Sequence, residues 1–321
     1  MPRRSSQSDP SKLLSRLQKL LNQFPAKLKD NDLREQVKAL IPAYHLIRDL
    51  GSSLISGTRR SARDRILHYL KRYHSTVISG EELMVVAGIG EWARRTRELR
   101  IQFGWQIITG VSISEMAGDE EDEEERAFLP DMKPDDYMLL NVEPDREAAH
   151  RWNTANEIRR ERDLSVRGKI LKYLRANVGN SITGEELRYV AGNRSEWARR
   201  VRELRTEHGW PVVTKQTGMP ELPVGTYVLE LDRQAPPHDR KIHDFIRRRV
   251  LRRDKYSCRE CDWKIGEYNR ADPRILELHH KKPHVEGGEN TEENLVTLCN
   301  ICHDQVHDSR NSNRKWSFLN S

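Results

Sequence analysis

The sequence predicts an α+β protein built from several small domains. Three observations carry this. A helical block occurs twice in mid-chain, and all four cysteines fall in two C-x-x-C pairs near the C-terminus. The third is composition: 33% of the 321 residues are charged and mean hydropathy is −0.83, too polar for a single large core. No apolar run approaches the ~18–20 residues that span a bilayer. The opening MPRRSSQSDPSKLL lacks an apolar h-region, so neither a membrane segment nor secretion is expected. Cysteines confined to metal-type pairs agree with a reducing, cytoplasmic setting.

The net charge of +7 understates the basic surface. Residues 119–136 hold ten acids against two bases, and removing that local −8 leaves +15 on the rest. So much positive charge points to a polyanionic partner, most simply nucleic acid.

Taken in order, residues 1–57 read as a helical hairpin. Leu13, Leu14, Leu17, Leu20, Leu21 and Phe24 follow i, i+3, i+4, i+7 spacing until Pro25, and a second amphipathic run covers Leu33 to Leu50. Pro42 should kink or split the second helix, and Gly51 should stop it. The hairpin serves either as a dimerisation element or as a cap on the next domain.

Residues 66–88 then align with 170–192 at 12 identities in 23, and 91–105 with 196–210 at 11 in 15. Collinear identity of this kind means two copies of one unit, expected at 58–142 and 164–234. In each, a first helix is followed by a capping box (Ser79 with Glu82; Thr183 with Glu186) that opens a second. Gly88 or Gly192 closes that helix, and a third begins near Glu91 or Ser195. Short strands are expected at Gln106–Thr109 and Tyr137–Leu140, and again at Pro211–Thr214 and Tyr227–Leu231. Three helices and a two-stranded ribbon give each copy a layout that resembles a winged helix-turn-helix domain.

The third helix explains why such a unit would meet DNA. Trp92, Thr96, Leu99 and Phe103 form one stripe, matched by Trp197, Val201, Leu204 and His208, which should face the core. Arg94, Arg95, Arg97 and Arg100, with Arg199, Arg200, Arg202 and Arg205, then occupy the outer surface. There a guanidinium can pair with guanine or clamp phosphate. The bland alternative is a solvated face whose arginines pair with Glu98 or Glu203. Lys215 begins the short second wing. The first wing is swollen by the acidic block, expected as a solvent-facing loop or as a cover on a basic surface. A polar helix at 143–163 connects the copies. The basic run Arg240 to Arg253, after Pro236-Pro237, is expected to track phosphates.

The last segment, 235–321, holds the chemistry. Cys258 and Cys261 pair with Cys299 and Cys302 across 37 residues, a spacing that closes a tetrahedral zinc site and staples a module with little core. A strand ends in His279 and His280, whose side chains point different ways. A helix after the second knuckle places His303 and His307 on one face. We assign His279, His303 and His307 to a catalytic divalent ion, His280 to proton transfer, and Asn294 to orienting the His280 ring.

These residues, with the lead-in RRRVLRRDKYSCRECDW (247–263) and the close LCNICHDQVH (298–307), make the segment resemble an HNH nuclease of the ββα-metal group. The resemblance implies a ββα fold around one catalytic ion, with His280 as general base, Asn294 as its positioner and His303 as the closing ligand. It also implies products with 5′-phosphate and 3′-hydroxyl ends. Many members have Asp where this chain has His279. An all-imidazole set favours Mn²⁺, Ni²⁺ or Zn²⁺ over Mg²⁺.

The whole chain thus reads as a sequence-specific double-stranded DNA endonuclease of restriction type, with structural Zn²⁺ and a catalytic divalent metal, no organic cofactor and no membrane partner. One HNH centre cuts one strand, so a double-strand break implies a homodimer. Alternatives are a nicking, homing or modification-dependent nuclease and, from another class, a transcriptional regulator with a non-catalytic zinc module.

Overall fold

The computed structural model describes residues 9–29, 32–55, 61–120, 123–235, 240–264, 272–283, 286–308 and 316–319. The chain divides into two compact units, Met1–Gly110 with Met132–Ala149, and Val111–Asp131 with His150–Ser321.

The first unit opens with a helical hairpin, α1 (Pro10–Lys27) and α2 (Leu33–Ser53), packed through Leu13, Leu17, Ala43 and Leu46. Asp9 and Asp32 cap the two N-termini through backbone amides. Both helices run through their prolines, so the expected interruption at Pro25 and split at Pro42 do not occur. Packing against the partner helix outweighs a penalty of about 3 kcal/mol for an internal proline. Nor is Gly51 a stop. It lies inside α2, where a Cβ would come within 2.6 Å of the Val85 carbonyl, so its role is close approach to the next domain.

That domain holds α3 (Ala62–Arg72), β1 (Ile78–Ser79), α4 (Gly80–Ala87), α5 (Trp92–Phe103), β2 (Ile107–Thr109) and, after an insertion, β3 (Asp136–Leu139). The strands form an antiparallel sheet of order β1-β3-β2. Ser79 and Glu82 make the expected capping box, and Gly88 ends α4 at φ +61°. Ile66, Leu70, Leu83, Leu99, Ile107 and Leu139 fill the core. Phe103, expected in the core, is instead exposed with the Arg63 guanidinium 4.1 Å from its ring centre. Inserted between β2 and β3 are α6 (Gly110–Asp119) and α7 (Glu123–Arg126), and after β3 comes α8 (Ala148–Arg160).

The second unit repeats the pattern with α9 (Val166–Arg175), β4 (Ile182–Thr183), α10 (Gly184–Val190), α11 (Trp197–Thr206), β5 (Val212–Val213) and β6 (Thr226–Leu229). Its strand order is likewise β4-β6-β5. One device recurs. Gly80 lies under the Trp92 ring and Gly184 under Trp197, with no room for a Cβ. Each Trp meets a Tyr of the last strand edge-on, Tyr137 at 5.7 Å and Tyr227 at 5.9 Å. Gly, Trp and Tyr thereby tie the second helix, the third helix and the sheet together in both copies.

The C-terminal module of this unit comprises α12 (Asp244–Arg253), the hairpin β7 (Leu276–His280) and β8 (Leu295–Cys299), and α13 (Asn300–His307), with a short 3-10 turn at Ser317–Leu319. The strand period of two splits the hairpin's side chains. Leu276, Leu278 and Leu295 pack toward α12 with Val250 and Leu251. Val296 and Leu298 join Cys258, Cys302 and Phe318 on the other side.

Candidate active site and metal centres

Cys258, Cys261, Cys299 and Cys302 bring their sulfurs within 4.8 Å of one another. Cys261 and Cys299 lie 3.9 Å apart, too far for a disulfide. A tetrahedron with Zn–S bonds of about 2.3 Å has edges of about 3.8 Å. Burial pushes the Cys299 thiol up to about 11 and raises Cys302 as well, and sulfurs gathered at one point as thiolates call for a cation among them. The donor set fits zinc. Cys299 does double duty, because its sulfur also accepts the Cys302 amide at the start of α13.

That helix carries the second cluster. His279 from β7 and His303 and His307 from α13 offer ring nitrogens within 4.8 Å of one another. His303 is 1% exposed, and its Nδ1 lies 2.6 Å from the Glu277 carboxylate, two residues before His279 on the same face of β7. A carboxylate accepts, so Nδ1 holds the proton and Nε2 presents a lone pair. That Nε2 faces His307 Nε2 at 3.2 Å. Two imidazoles on one ion at about 2.05 Å would sit about 3.3 Å apart at a tetrahedral angle. The three histidines therefore fit a divalent ion, and Glu277, which sequence reasoning missed, orients one of them. Only the alternation Leu276-Glu277-Leu278-His279 hinted at it.

His280 is buried on the opposite face of β7. Its Nε2 lies 2.7 Å from Asn290 Oδ1, while the Asn290 amide nitrogen donates to the Lys241 carbonyl at 3.0 Å. That second bond fixes which end of the amide faces the ring. His280 Nε2 is then the donor, which in the neutral ring makes Nδ1 the acceptor nitrogen.

The expected partner, Asn294, does something else. It receives the Lys282 amide at 2.9 Å and donates to the carbonyls of Lys282 and Glu289, closing the loop between β7 and β8. Three residues lie between the two asparagines, and past the turn at Gly287 and Gly288 it is Asn290 that reaches the ring. A Cβ on Gly288 would lie 1.8 Å from the Lys282 oxygen.

The arginine helices differ between the copies. On α5, Arg94 and Arg95 pair with Glu98 at 3.3 and 2.7 Å but stay at the surface, Arg97 is exposed and Arg100 is half-buried. On α11, Arg199 and Arg200 pair with Glu203. Arg205, expected outside, is 8% exposed and locked to Asp244 of α12, with Nε–Oδ1 at 2.6 Å. Arg202 is 21% exposed and paired with Asp119.

Asp119, at the start of the acidic block, causes part of this, and the α6 helix just before it is anchored on the second copy. Glu115 on α6 bonds Arg188 at 2.7 Å and Trp197 Nε1 at 2.8 Å, and Ser112 donates to Glu185. Lys215 sits between β5 and β6, its Nζ on the Pro220 carbonyl. The basic run before the nuclease module also proves structural in part. Arg248 is buried, Arg249 pairs with Glu292, and Arg253 holds Asp254 and the Leu295 carbonyl.

Residues 258–309, which span both metal clusters and His280, match the HNH endonuclease model, so the chain carries an HNH endonuclease domain at its C-terminal end. Residues 63–140 and 167–230, the two repeats, match the KpnI N-terminal domain. Over 70 residues the chain is 33% identical to the type IV methyl-directed restriction enzyme EcoKMcrA of Escherichia coli (strain K12). That stretch is 22% of this chain and 25% of the relative. No solved structure matches.

Proposed function

We propose that this protein is a restriction endonuclease that hydrolyses phosphodiester bonds of double-stranded DNA. The observation that carries the reading is the meeting of His279, His303 and His307 beside a strand whose next residue, His280, keeps an acceptor nitrogen. When bound, a divalent ion supplies positive charge that offsets the phosphate oxygens and the leaving 3′-oxygen. His280 Nδ1 takes the proton of the attacking water. Asn290 and Lys241 hold that tautomer, and Asn294 with Gly288 holds the loop around it. Glu277 keeps the His303 ring turned to the ion position.

The order helix, strand, helix, helix, strand, strand in both copies supports winged helices as the DNA-reading part. We place the domain boundaries at 58–142, 164–234 and 235–321, with Val111–Asp131 of the first copy belonging to the second compact unit. Of the two third helices, α5 is the better reader. Its outer face is open at Ala93, Arg94 and Arg97, whereas the corresponding Ala198 is 7% exposed, and Arg202 and Arg205 are held by Asp119 and Asp244. The second copy then joins recognition to the nuclease module.

A second reading, cleavage directed by a modified base, is favoured by the likeness to a methyl-directed enzyme. One experiment addresses both. Purified protein is incubated with methylated and unmethylated genomic DNA in Mn²⁺, Ni²⁺ and Mg²⁺, and the ends are sequenced. Discrete 5′-phosphate ends from unmethylated DNA support the first reading, and cutting of methylated DNA alone supports the second. Footprints without strand breaks in any ion would leave only a DNA-binding protein.

A further inference from the structure

The α1–α2 hairpin carries more apolar pattern than its own core uses. On α2, one heptad stripe (Gln36, Ala39, Ala43, Leu46, Leu50) faces α1. A second stripe, Leu33, Val37, Leu40, Tyr44 and Ile47, steps by 4-3-4-3 and is 41–72% exposed. On α1 and its C-cap, Leu14, Leu21 and Leu28 recur every seven residues at 45, 46 and 59% exposure. Exposed large apolar residues scattered singly are ordinary, but eight in heptad register on one hairpin are not. Among the described residues, α2 meets α4 at its C-terminal end, through Arg48 on the Gly88 carbonyl at 2.9 and 3.1 Å and through Gly51.

We infer that this stripe binds a second copy of the same chain, hairpin to hairpin, as a four-helix bundle. A 4-3-4-3 repeat is the spacing that seats knobs of another helix of the same period. A twofold axis presents each stripe with its own match, so one sequence satisfies both sides. A standard specific interface takes about 800 Å² from each partner, and the eight side chains, 41–72% exposed, supply apolar surface toward it. With the axis crossing α2 at mid-stripe, the two α2 helices pack antiparallel and Leu40 meets its own copy. Leu14 and Leu21 then flank the seam. The idea deepens the nuclease reading, which it rests on for purpose, because two hydrolytic centres are needed to cut both strands.

The test uses the full chain. Light scattering of the wild type should give twice the 37.6 kDa chain mass at micromolar concentration, and V37E/Y44E should give the single mass with unchanged helix content and zinc. Lys38→Glu, off the stripe, should stay dimeric. A monomeric wild type, or a V37E/Y44E protein that remains a dimer, overturns the inference. If V37E/Y44E loses helix content, Leu40→Cys decides. Mild oxidation should link two chains through that residue, and no crosslink overturns it. Cleavage is scored separately. The monomeric variant should nick supercoiled plasmid while linearising it at least tenfold more slowly. A dimer that never cuts DNA would sink the nuclease reading and leave the interface standing.

Discussion

Asn290 Oδ1 lies 2.7 Å from His280 Nε2, and the same side chain reaches the Lys241 carbonyl, so one amide sets both the tautomer of the ring and its link to the segment before α12. Asn290→Ala should lower the cleavage rate by about 10- to 100-fold while DNA binding and zinc content stay put. Asn294→Ala should act differently, loosening the loop and lowering the melting temperature along with activity. Comparing single-turnover rates with thermal melts separates the two. Equal effects on both observables for both variants would count against this division.

Glu277 stands behind His303 as Asn290 stands behind His280. Glu277→Gln should weaken binding of the catalytic ion by about 10- to 100-fold, with cutting partly restored by excess metal. Isothermal titration of zinc-loaded protein with Mn²⁺ checks it. Undiminished affinity would mean the carboxylate is only a packing contact.

Arg205 and Asp244 form a buried pair between α11 and α12. Burial alone would raise the Asp244 carboxyl, but the Arg205 guanidinium outweighs it and holds that group below its usual range. A depressed folded value means the pair's contribution is present above about pH 4, the ordinary Asp value, and is lost as pH falls through the lower folded value. Asp244→Asn leaves a buried guanidinium without its anion and should cost about 3–5 kcal/mol near neutral pH, with a smaller difference from wild type toward pH 2. Urea melts across that range measure it.

The asymmetry of the arginine helices makes a binding prediction. Arg97→Ala should weaken DNA affinity about tenfold or more, and a base-contacting role would show as relaxed cleavage preference. Arg202→Ala, already engaged by Asp119, should change affinity little. Gel shifts with both variants at fixed salt decide, and the reverse order would move the reading surface to α11.

Much of this was legible in the residues. The capping boxes at Ser79 and Thr183, the tight turn within each C-x-x-C and the shared helix face of His303 and His307 follow local spacing, which short-range geometry fixes. Two-residue strands such as Ile78–Ser79 carry no period to read. Which of two asparagines reaches His280 depends on a glycine turn, and the fate of Arg205 on a carboxylate 39 residues away. Residues 119–136 read only as a loop or a cover, with nothing to name Arg202 as the partner of Asp119. Yet α6, which ends at Asp119, is held by Glu115 against a tryptophan and an arginine that composition does not reveal.

Cys299 also pairs with Leu276 across the hairpin while it starts α13 and holds one corner of the sulfur cluster. A single residue is thus hinge pin for strand, helix and staple at once, its backbone in the hairpin and its sulfur in the cap and the cluster. Peroxide or a thiol-alkylating reagent should therefore silence cutting without modifying a histidine, because the helix that presents two of them would lose its mooring.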